Sequence, residues 1–340
     1  MIIGVPRRVP ARRLPGVPLP RLLDAALDRL VVPGYSRLGY LARAAGWSAL
    51  PSDALAGRTV AVTGAGAGIG EATAAGLVAL GAEVEMLVRD RGRGEAAKER
   101  LLEAHPGARI TVARCDLADL ADVRRYAADA RDRLVALHGL VHNAGVLPGE
   151  RTETAAGHEL CLATHVLGPF LLTRELLPLL RAGSPPDRPG SPARVVFVSS
   201  GGMYTAALRT DDPEFREGRF SGGAAYARTK RMQVVLAELL AEDLAAAGVA
   251  VHSMHPGWAD TPGVAGSLPG FHRLTGPLLR TVEQGADTAV WLQAAREPGR
   301  CSGVFWHDRA PRPTHYLPRG EEAPEERAAL WALCVDATTA

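Results

Sequence analysis

Asparagine and lysine are almost absent from this 340-residue chain. Asparagine occurs only at Asn143 and lysine only at Lys98 and Lys230, while arginine supplies the remaining positive charge. A lysine or asparagine that persists against such a bias is a candidate for a chemical requirement, because arginine is bulkier and planar and does not replace lysine at every site. The scarcity therefore draws attention to Asn143 and Lys230.

Features that mark several other classes of protein are also missing. The four cysteines are scattered and form no C-x-x-C pair, so we expect no disulfide framework, no metal site and a reducing, cytoplasmic compartment. The net charge is only +2, which argues against nucleic acid as a partner. No apolar run is long enough to span a bilayer, and the N-terminal residues do not resemble a signal peptide.

The chain divides into three segments by composition. Residues 1–56 form an N-terminal arm, residues 57–317 carry the main domain, and residues 318–340 are expected to be a polar, peripheral tail. Within the arm, residues 21–46 place apolar side chains at helical spacing. We consider two interpretations: an amphipathic helix packed on the domain, or a helix making peripheral contact with a membrane surface or a partner.

From residue 57 onward, short β-rich runs alternate with helical segments. We predict strands over residues 59–63, 83–88, 110–114, 140–142, 194–198, 249–254 and 303–306. We predict helices over residues 69–80, 95–104, 120–134, 159–180 and 226–247. This alternation indicates an α/β, three-layer, doubly wound parallel sheet (a Rossmann fold) in a single domain with an N-terminal helical arm. Ligands of such sheets bind at the carboxyl ends of the strands.

A glycine-rich turn follows the first predicted strand. It reads T-G-A-G-A-G-I-G over residues 63–70 and opens the first helix. Glycines let the backbone approach a pyrophosphate, and the free N–H groups of the helix N-terminus attract it. A glycine cluster alone could be a tight turn, but the strand–turn–helix context favours a dinucleotide site. The predicted cofactor-binding residues here are Gly64, Gly66, Gly68, Ile69 and Gly70.

The end of the second strand bears on the choice between NADP and NAD. An arginine there would accept the 2′-phosphate of NADP, whereas an acidic residue would bond the 2′-hydroxyl of NAD. Arg89 comes first and Asp90 follows, so we favour NADP(H) and keep NAD as an alternative. A further alternative is that Arg89 and Arg91 are solvated surface charges.

Three further strand ends carry candidate cofactor contacts. Asp116, beside Leu117, could accept a hydrogen bond from adenine or cap the next helix. Asn143 has an amide that both donates and accepts, and its small neighbours Ala144 and Gly145 leave room for a cofactor. Pro256 and Gly257 could face a nicotinamide, with Thr261 holding its carboxamide; alternatively, Thr261 caps a helix before Pro262.

A possible catalytic group follows the fifth strand. Ser200 ends that strand, and Tyr226 and Lys230 are one helical turn apart, so both side chains lie on one helix face. An ammonium beside a phenol favours the phenolate and lowers the phenol's pKa, which suits a general acid or base. Y-x-x-x-K alone occurs often by chance, but it is specific after a strand-end serine in this architecture.

Together these motifs resemble the short-chain dehydrogenase/reductase family over about residues 57–310. The resemblance rests on T-G-x-x-x-G-I-G, N-A-G, the serine, Y-x-x-x-K and P-G in this order. Within this family, the retinol-dehydrogenase-like enzymes resemble the chain less closely than its nearest branch does. It implies that Tyr226 is the general acid/base, that Ser200 polarises the substrate oxygen, and that Lys230 bonds the nicotinamide ribose. The implied function is an NADP(H)-dependent oxidoreductase that interconverts an alcohol and a ketone or aldehyde.

One departure from the family pattern concerns the predicted long helix. Where the family has a catalytic asparagine in N-x-L-G, this chain has His165 in H-V-L-G. In the family that residue kinks the helix, so that its backbone carbonyl holds a water in a proton relay. His165 could support the relay through its carbonyl or its imidazole, or it could be a packed helix histidine. The alternative function is therefore a catalytically impaired nucleotide-binding or scaffold protein.

The substrate walls are expected from loops 201–225 and 258–280. Their apolar residues predict a small apolar carbonyl or alcohol as substrate: Met203, Tyr204, Phe215, Phe220, Trp258, Leu268 and Phe271. The family resemblance also implies a homo-oligomer that pairs through its two long helices.

Overall fold

The computed structural model describes residues 21–184, 191–261, 270, 273, 275–316 and 321–339, with side chains described from residue 24 onward. An eight-stranded sheet has the order β3-β2-β1-β4-β5-β6-β7-β8. Only the β7–β8 pair is antiparallel, and β8 was not predicted. The strands are β1 (Thr59–Thr63), β2 (Glu83–Val88), β3 (Ile110–Arg114), β4 (Gly139–His142), β5 (Arg194–Val198), β6 (Ala250–Met254), β7 (Val304–His307) and β8 (Ala310–Pro311).

Helices cover both faces of this sheet and form the arm. The arm contains α1 (Arg21–Arg29), α2 (Val31–Tyr35) and α3 (Arg37–Ala44). The helices that follow are α4 (Gly68–Ala79), α5 (Arg91–Ala104), α6 (Leu120–Arg133), α7 (Leu160–Leu162), α8 (Gly168–Glu175), α9 (Leu177–Ala182), α10 (Gly222–Asp243), α11 (Val282–Ala294) and α12 (Pro324–Thr339). The predicted three-layer Rossmann fold is confirmed.

The inner strands form because they are nearly continuous runs of apolar, often β-branched residues. Strands β4, β5 and β6 are buried at every residue, as expected for parallel strands covered on both faces. The apolar core has two large parts, one containing Leu171 and Leu236, and the other containing Leu77 and Leu292. Parallel pairing aligns the carboxyl ends of β1, β4, β5 and β6 at one edge, and the predicted site residues therefore meet there.

The segment predicted as one helix over residues 159–180 is interrupted twice. A single π turn, Ala163–Leu167, separates α7 from α8, and Leu176 separates α8 from α9. Proline has no N–H to donate to a preceding carbonyl, and Pro169 and Pro178 each lie near one of these interruptions. The predicted helix 226–247 also differs, since α10 begins at Gly222, where the Ser221 hydroxyl caps Ala224 N–H.

The arm is held to the main domain by a buried ionic network. Asp308 pairs with Arg43 at 2.7 Å and with Arg280 at 2.6 Å, and all three side chains are almost fully buried. Both arginines also donate to the Gly34 carbonyl. The Tyr35 carbonyl accepts from Trp258 N–H at 2.8 Å. The arm therefore packs on the domain, as one of the two interpretations of residues 21–46 predicted.

The C-terminal segment is not the peripheral tail that its polar composition predicted. Helix α12 buries Leu330 and Cys334 fully in the core, and Trp331 packs edge-on against Phe170 of α8. An ion pair between Arg327 and Glu238 joins it to α10. Helix α12 therefore covers part of the α8–α10 face through which the family resemblance predicted pairing. Among the described residues, no helix is long and apolar enough to cross a membrane.

Candidate active site

A cavity of about 750 Å³ lies at the carboxyl ends of the central strands. Every residue predicted to bind a cofactor lines it, together with Ser200, whereas His165 lies behind its wall. Cavity-lining residues from the predicted set are Gly64, Gly66, Gly68, Ile69, Gly70, Arg89, Asp116, Leu117, Asn143, Ala144, Gly145, Ser200, Tyr226, Lys230, Pro256, Gly257 and Thr261.

The glycine turn needs glycine for two separate reasons. Gly64 has a φ of 67° and Gly68 a φ of 58°, a left-handed region that glycine adopts without strain. A Cβ at Gly70 would lie only 2.2 Å from the Gly64 carbonyl oxygen, so this helix start tolerates no side chain. The first turn of α4 therefore presents backbone N–H groups to the cavity, which fits a pyrophosphate.

Asn143 ties the glycine turn to the neighbouring strand. Its Nδ2 donates to the Thr63 carbonyl at 3.0 Å, and the Thr63 hydroxyl accepts from the N–H groups of Asn143 and Ala144, both at 3.0 Å. The only asparagine of the chain thus joins the ends of β1 and β4 beneath the cavity. Thr63 was not singled out from the sequence, because its role depends on the pairing of these two strands.

The adenosine end of the cavity is lined by Arg89, Asp90 and Arg93. Asp90 caps α5, with its carboxylate accepting from Arg93 N–H at 3.1 Å. Both arginine side chains are exposed at the rim, and Arg93 was not predicted. Arg89 and Arg93 therefore offer two cations to an anionic group of a ligand, whereas the Asp90 carboxylate caps the N-terminus of α5. Together with the glycine turn, these residues fit a nicotinamide dinucleotide.

Asp116 does not cap the helix after β3, which was one of the two roles considered. Asp119 takes that position, with its Oδ1 accepting from Ala121 and Asp122 N–H. The Asp116 carboxylate instead accepts from Ala118 N–H at 3.0 Å in a tight turn. The turn holds Asp116 and Leu117 at the cavity wall.

Two adjacent serines end β5 and have different surroundings. The Ser199 hydroxyl is buried and donates to the Lys230 carbonyl at 2.8 Å, so it ties α10 to the sheet. The Ser200 hydroxyl accepts from Gly202 N–H at 3.1 Å and is also hydrogen-bonded to the Tyr226 phenol. Ser200 is therefore the serine associated with the phenol, as the resemblance implied.

Burial controls the titration of Tyr226. It raises the pKa of the phenol above its usual value, and the hydrogen bond with Ser200 opposes that rise. The lowering by Lys230 that we predicted from the Y-x-x-x-K spacing is not found. The Lys230 ammonium lies 5.3 Å from the Tyr226 ring centre, and its hydrogen bonds go to other groups.

Lys230 is buried and held at two points. Its Nζ donates to the Val198 carbonyl at 2.9 Å and to Gln233 Oε1 at 3.0 Å. Burial lowers its pKa to about 7, because transfer of an ammonium from water to a protein interior disfavours the charged form. Gln233 was not predicted from the sequence, because it belongs to none of the motifs.

His165 is fully buried in the π turn and both of its ring nitrogens have partners. Nε2 accepts from Val146 N–H at 2.9 Å, so the neutral ring carries its proton on Nδ1. That Nδ1 lies 2.8 Å from the Thr229 hydroxyl, which in turn donates to a carbonyl of α10. Burial places its pKa well below the ordinary value. The imidazole thus connects the loop after β4 to α10.

The predicted substrate walls are only partly right. Trp258 lines the cavity, but Met203 is buried against Val234 and Phe305. Phe215 and Phe220 pack on each other in a separate small cluster, and Tyr204 also packs away from the cavity. Met203 and Phe215 are buried in these small clusters, and Tyr204 and Phe220 pack partly buried against them. Leu268 and Phe271 lie outside the described residues. Val146 and Leu147 supply apolar walls that were not predicted.

The fold, the cavity and the motif residues are those of a class of dinucleotide-dependent oxidoreductases. Comparison with known proteins gives the same class. A family model described as short chain dehydrogenase matches residues 58–269. The chain belongs to the short-chain dehydrogenase family.

Two curated relatives illustrate where the chain lies within this family. It is 38% identical over 303 residues to dehydrogenase/reductase SDR family member 12 of Bos taurus, covering 87% of this chain and 91% of that protein. Retinol dehydrogenase 12 of Homo sapiens is 34% identical over 256 residues, covering 75% of this chain and 78% of that protein. Two segments of the chain, V-S-S-G-G-M-Y over residues 198–204 and M-H-P-G-W-A-D-T-P-G-V over residues 254–264, by themselves predict a relationship to member 12, and the first comparison confirms it.

One solved structure of similar fold is a complex with NADP. The Pseudomonas aeruginosa RhlG/NADP active-site complex has a TM-score of 0.61 to this chain at 25% identity, covering 75% of this chain and 96% of that one. The common architecture is therefore shared with a protein whose complex contains NADP.

Proposed function

We propose that this protein is an NADP(H)-dependent oxidoreductase that interconverts an alcohol and a ketone or aldehyde. The observation that carries the proposal is convergence: Ser200, Tyr226 and Lys230 meet in one cavity with the glycine turn of α4. A cavity with convergent polar groups and perturbed pKa values is where chemistry is expected.

The rim of the cavity supports NADP over NAD. Asp90 is used as a helix cap, so its carboxylate has a structural role, whereas Arg89 and Arg93 both face the adenosine end. Arginine pairs well with phosphate because its guanidinium offers several donors in a fixed plane.

Each catalytic side chain has a role that follows from its environment. Ser200 can donate a hydrogen bond to the substrate oxygen, beside the Tyr226 phenol. Because burial raises the pKa of that phenol, Tyr226 is protonated near neutral pH and can donate its proton to a carbonyl oxygen during reduction. Lys230 holds a donor at the cavity wall, suited to the cofactor's ribose hydroxyls. The bound nicotinamide would supply or accept the hydride.

The substrate proposal is a small apolar carbonyl or alcohol. The catalytic end of the cavity is lined by Val146, Leu147 and Trp258, and such walls favour apolar ligands held by few polar contacts. The name of the retinol dehydrogenase relative also indicates an apolar alcohol as that protein's substrate.

Turnover on a panel of aldehydes and ketones tests the function. We expect NADPH oxidation by the unaltered protein, and loss of nearly all activity in Tyr226→Phe with NADPH affinity preserved, because only the proton donor is removed. Equal turnover by Tyr226→Phe would contradict the mechanism. Tight NADPH binding without turnover on a broad panel would instead support the impaired nucleotide-binding or scaffold alternative.

Cofactor preference is tested separately with Arg89→Ala. Loss of one charge-assisted contact to a phosphate corresponds to about tenfold to a hundredfold in affinity, so we expect NADPH binding to weaken by that factor and NADH binding to change little. Arg91→Ala is the matched control, since Arg91 is exposed and does not line the cavity. Equal effects of both variants on NADPH would remove Arg89 as the phosphate reader.

A further inference from the structure

Gln233 occupies a bridging position behind the active site. Its Oε1 accepts from Lys230 Nζ at 3.0 Å, and its Nε2 donates to the His165 carbonyl at 2.9 Å. The side chain is completely buried. No alternative orientation of the amide satisfies both partners, because an ammonium only donates and a carbonyl only accepts.

The His165 carbonyl is available to Gln233 for a reason visible in the sequence. In a regular helix this carbonyl would accept from the N–H of the residue four positions later, but that residue is Pro169, which has none. His165 itself lies within the π turn Ala163–Leu167. A buried carbonyl gains stability from a hydrogen-bond donor, and the Gln233 amide supplies one here.

Gln233 also affects the charge of Lys230. Burial disfavours the ammonium, and an amide oxygen at hydrogen-bond distance favours it. On α10, residues 230 and 233 lie one turn apart on the same face. One glutamine therefore connects the lysine of the cavity to the backbone of the π turn, at the point where His165 replaces the family's asparagine.

We propose that Gln233 is a positioning residue. It fixes the Lys230 ammonium in the cavity, and it blocks proton transfer between Lys230 and the His165 carbonyl. A carboxamide holds both groups but is a poor proton carrier, so protons for Tyr226 reach it from the open side of the cavity. This inference rests on the proposed function and adds a determinant of its pH dependence.

The test compares pH profiles of kcat/KM for carbonyl reduction by Gln233→Met and Gln233→Glu. Methionine keeps the volume and removes the acceptor, so the loss of activity at high pH should begin about one pH unit lower. Glutamate adds a negative charge beside the ammonium, so the loss of activity at high pH should begin at a higher pH than in the unaltered protein. Opposite shifts are not expected from a merely structural role.

Gln293→Met is the matched control. Gln293 is also buried, and its Nε2 donates to the Arg194 carbonyl at 3.3 Å, away from the catalytic residues. We expect a loss of stability there with an unchanged pH profile. If Gln233→Met turns over with the same profile as the unaltered protein, the inference about Gln233 is wrong while the proposed function stands.

A separate readout covers the case in which the unaltered protein transfers no hydride. NADPH binding, followed by nicotinamide fluorescence across pH, reports the charge of Lys230 without chemistry. A shift of that binding profile in Gln233→Met would support the inference even though the proposed function had failed. Identical binding profiles would overturn it.

A second inference comes from an independent observation, the outer face of the arm. Five of the eight large apolar side chains that are exposed in the described structure lie in this short region. We call them the apolar arm face: Leu30, Val31, Val32, Leu38 and Leu41. The arm cannot roll to bury them, because Gly34, Tyr35 and Arg43 on its other side are locked into the ionic network.

Charge around the apolar arm face indicates what covers it. The exposed charged side chains among residues 24–46 are Arg29 and Arg37, both cationic. In the sequence, the first 23 residues contain five arginines and no acid. Apolar side chains beside two exposed arginines match an anionic lipid surface. A cleft between Val31 and Thr205 opens beside this face, and Thr205 also lines the catalytic cavity.

We infer that the apolar arm face docks on a bilayer containing anionic lipid. Co-sedimentation with phosphatidylcholine vesicles, with and without phosphatidylserine, tests this. We expect binding only with phosphatidylserine, weakened by salt and lost in Leu38→Glu. Val135→Glu is the matched control, since Val135 is an exposed apolar residue outside the arm, and should bind normally. Absence of vesicle binding, or a concentration-dependent dimer that Leu38→Glu dissociates, would overturn the inference.

Discussion

At the scale of single residues, the active site depends on two groups, the partly buried Tyr226 phenol and the buried Lys230 ammonium, whose pKa values move in opposite directions. Burial raises the pKa of the Tyr226 phenol and lowers that of the Lys230 ammonium to about 7. In both cases the neutral form is favoured, because low-dielectric surroundings penalise charge. Tyr226 is thereby kept as a proton donor, while Lys230 is held close to its own titration at neutral pH.

The shift of Lys230 predicts a specific dependence of stability on pH. Its pKa falls from 10.5 to about 7 on folding, so between these values the unfolded chain binds more protons than the folded one. Stability should therefore rise with pH across this window, and the full penalty applies below pH 7. Urea unfolding from pH 6 to pH 10 should show this rise in the unaltered protein and a flatter dependence in Lys230→Met. Parallel curves would contradict a buried, depressed Lys230.

Motif residues could be identified from sequence because their roles are local. A turn that joins a strand to a helix and binds a phosphate needs residues without side chains, which points to Gly64 and Gly70. Tyr226 and Lys230 share a helix face because they are four residues apart. Gln233 could not be found this way. Its importance depends on Pro169, more than sixty residues earlier, freeing a carbonyl that only the folded chain brings within reach.

At the scale of elements, strands were predicted more accurately than helices. Continuous apolar runs such as β5 and β6 have few alternatives in a parallel sheet, and their predicted bounds differ from the structure by at most one residue. Helical periodicity does not report interruptions, so the π turn at Ala163–Leu167 was missed. The polar composition of residues 318–340 also gave no indication of α12, which packs on the core mainly through Leu330, Trp331 and Cys334.

The arm is predicted to depend on the Asp308 carboxylate. Burial alone would raise its pKa, yet His307, Arg280 and Arg43 bring it well below the usual value. Asp308→Asn should destabilise the protein by about 3–5 kcal/mol in urea unfolding, because it leaves buried guanidinium groups uncompensated. Asp211→Asn is the control: its pair with Arg209 is exposed, so solvent screens it and we expect little or no loss of stability. Equal losses would show that the buried network does not hold the arm.

At the scale of the whole molecule, the candidate active site and the arm lie side by side at the carboxyl edge of the sheet. The parallel strands bring the cofactor residues and Ser200 to their carboxyl ends, α10 adds Tyr226 and Lys230, and the arm packs beside them through Tyr35 and Trp258. The sheet could be predicted from alternation of strand and helix. The position of the arm could not, since it depends on ion pairs between residues 265 positions apart, Arg43 and Asp308.

The most direct test of the central claim follows a single hydride. The protein is mixed with NADPH deuterated at the transferred position and with an apolar ketone or aldehyde from the panel, and the alcohol product is analysed by mass spectrometry. The account predicts an alcohol carrying deuterium with the unaltered protein, and almost none with Tyr226→Phe under conditions where both bind NADPH. Bound NADPH with no deuterium transfer to any member of the panel, or equal transfer by Tyr226→Phe, would contradict it.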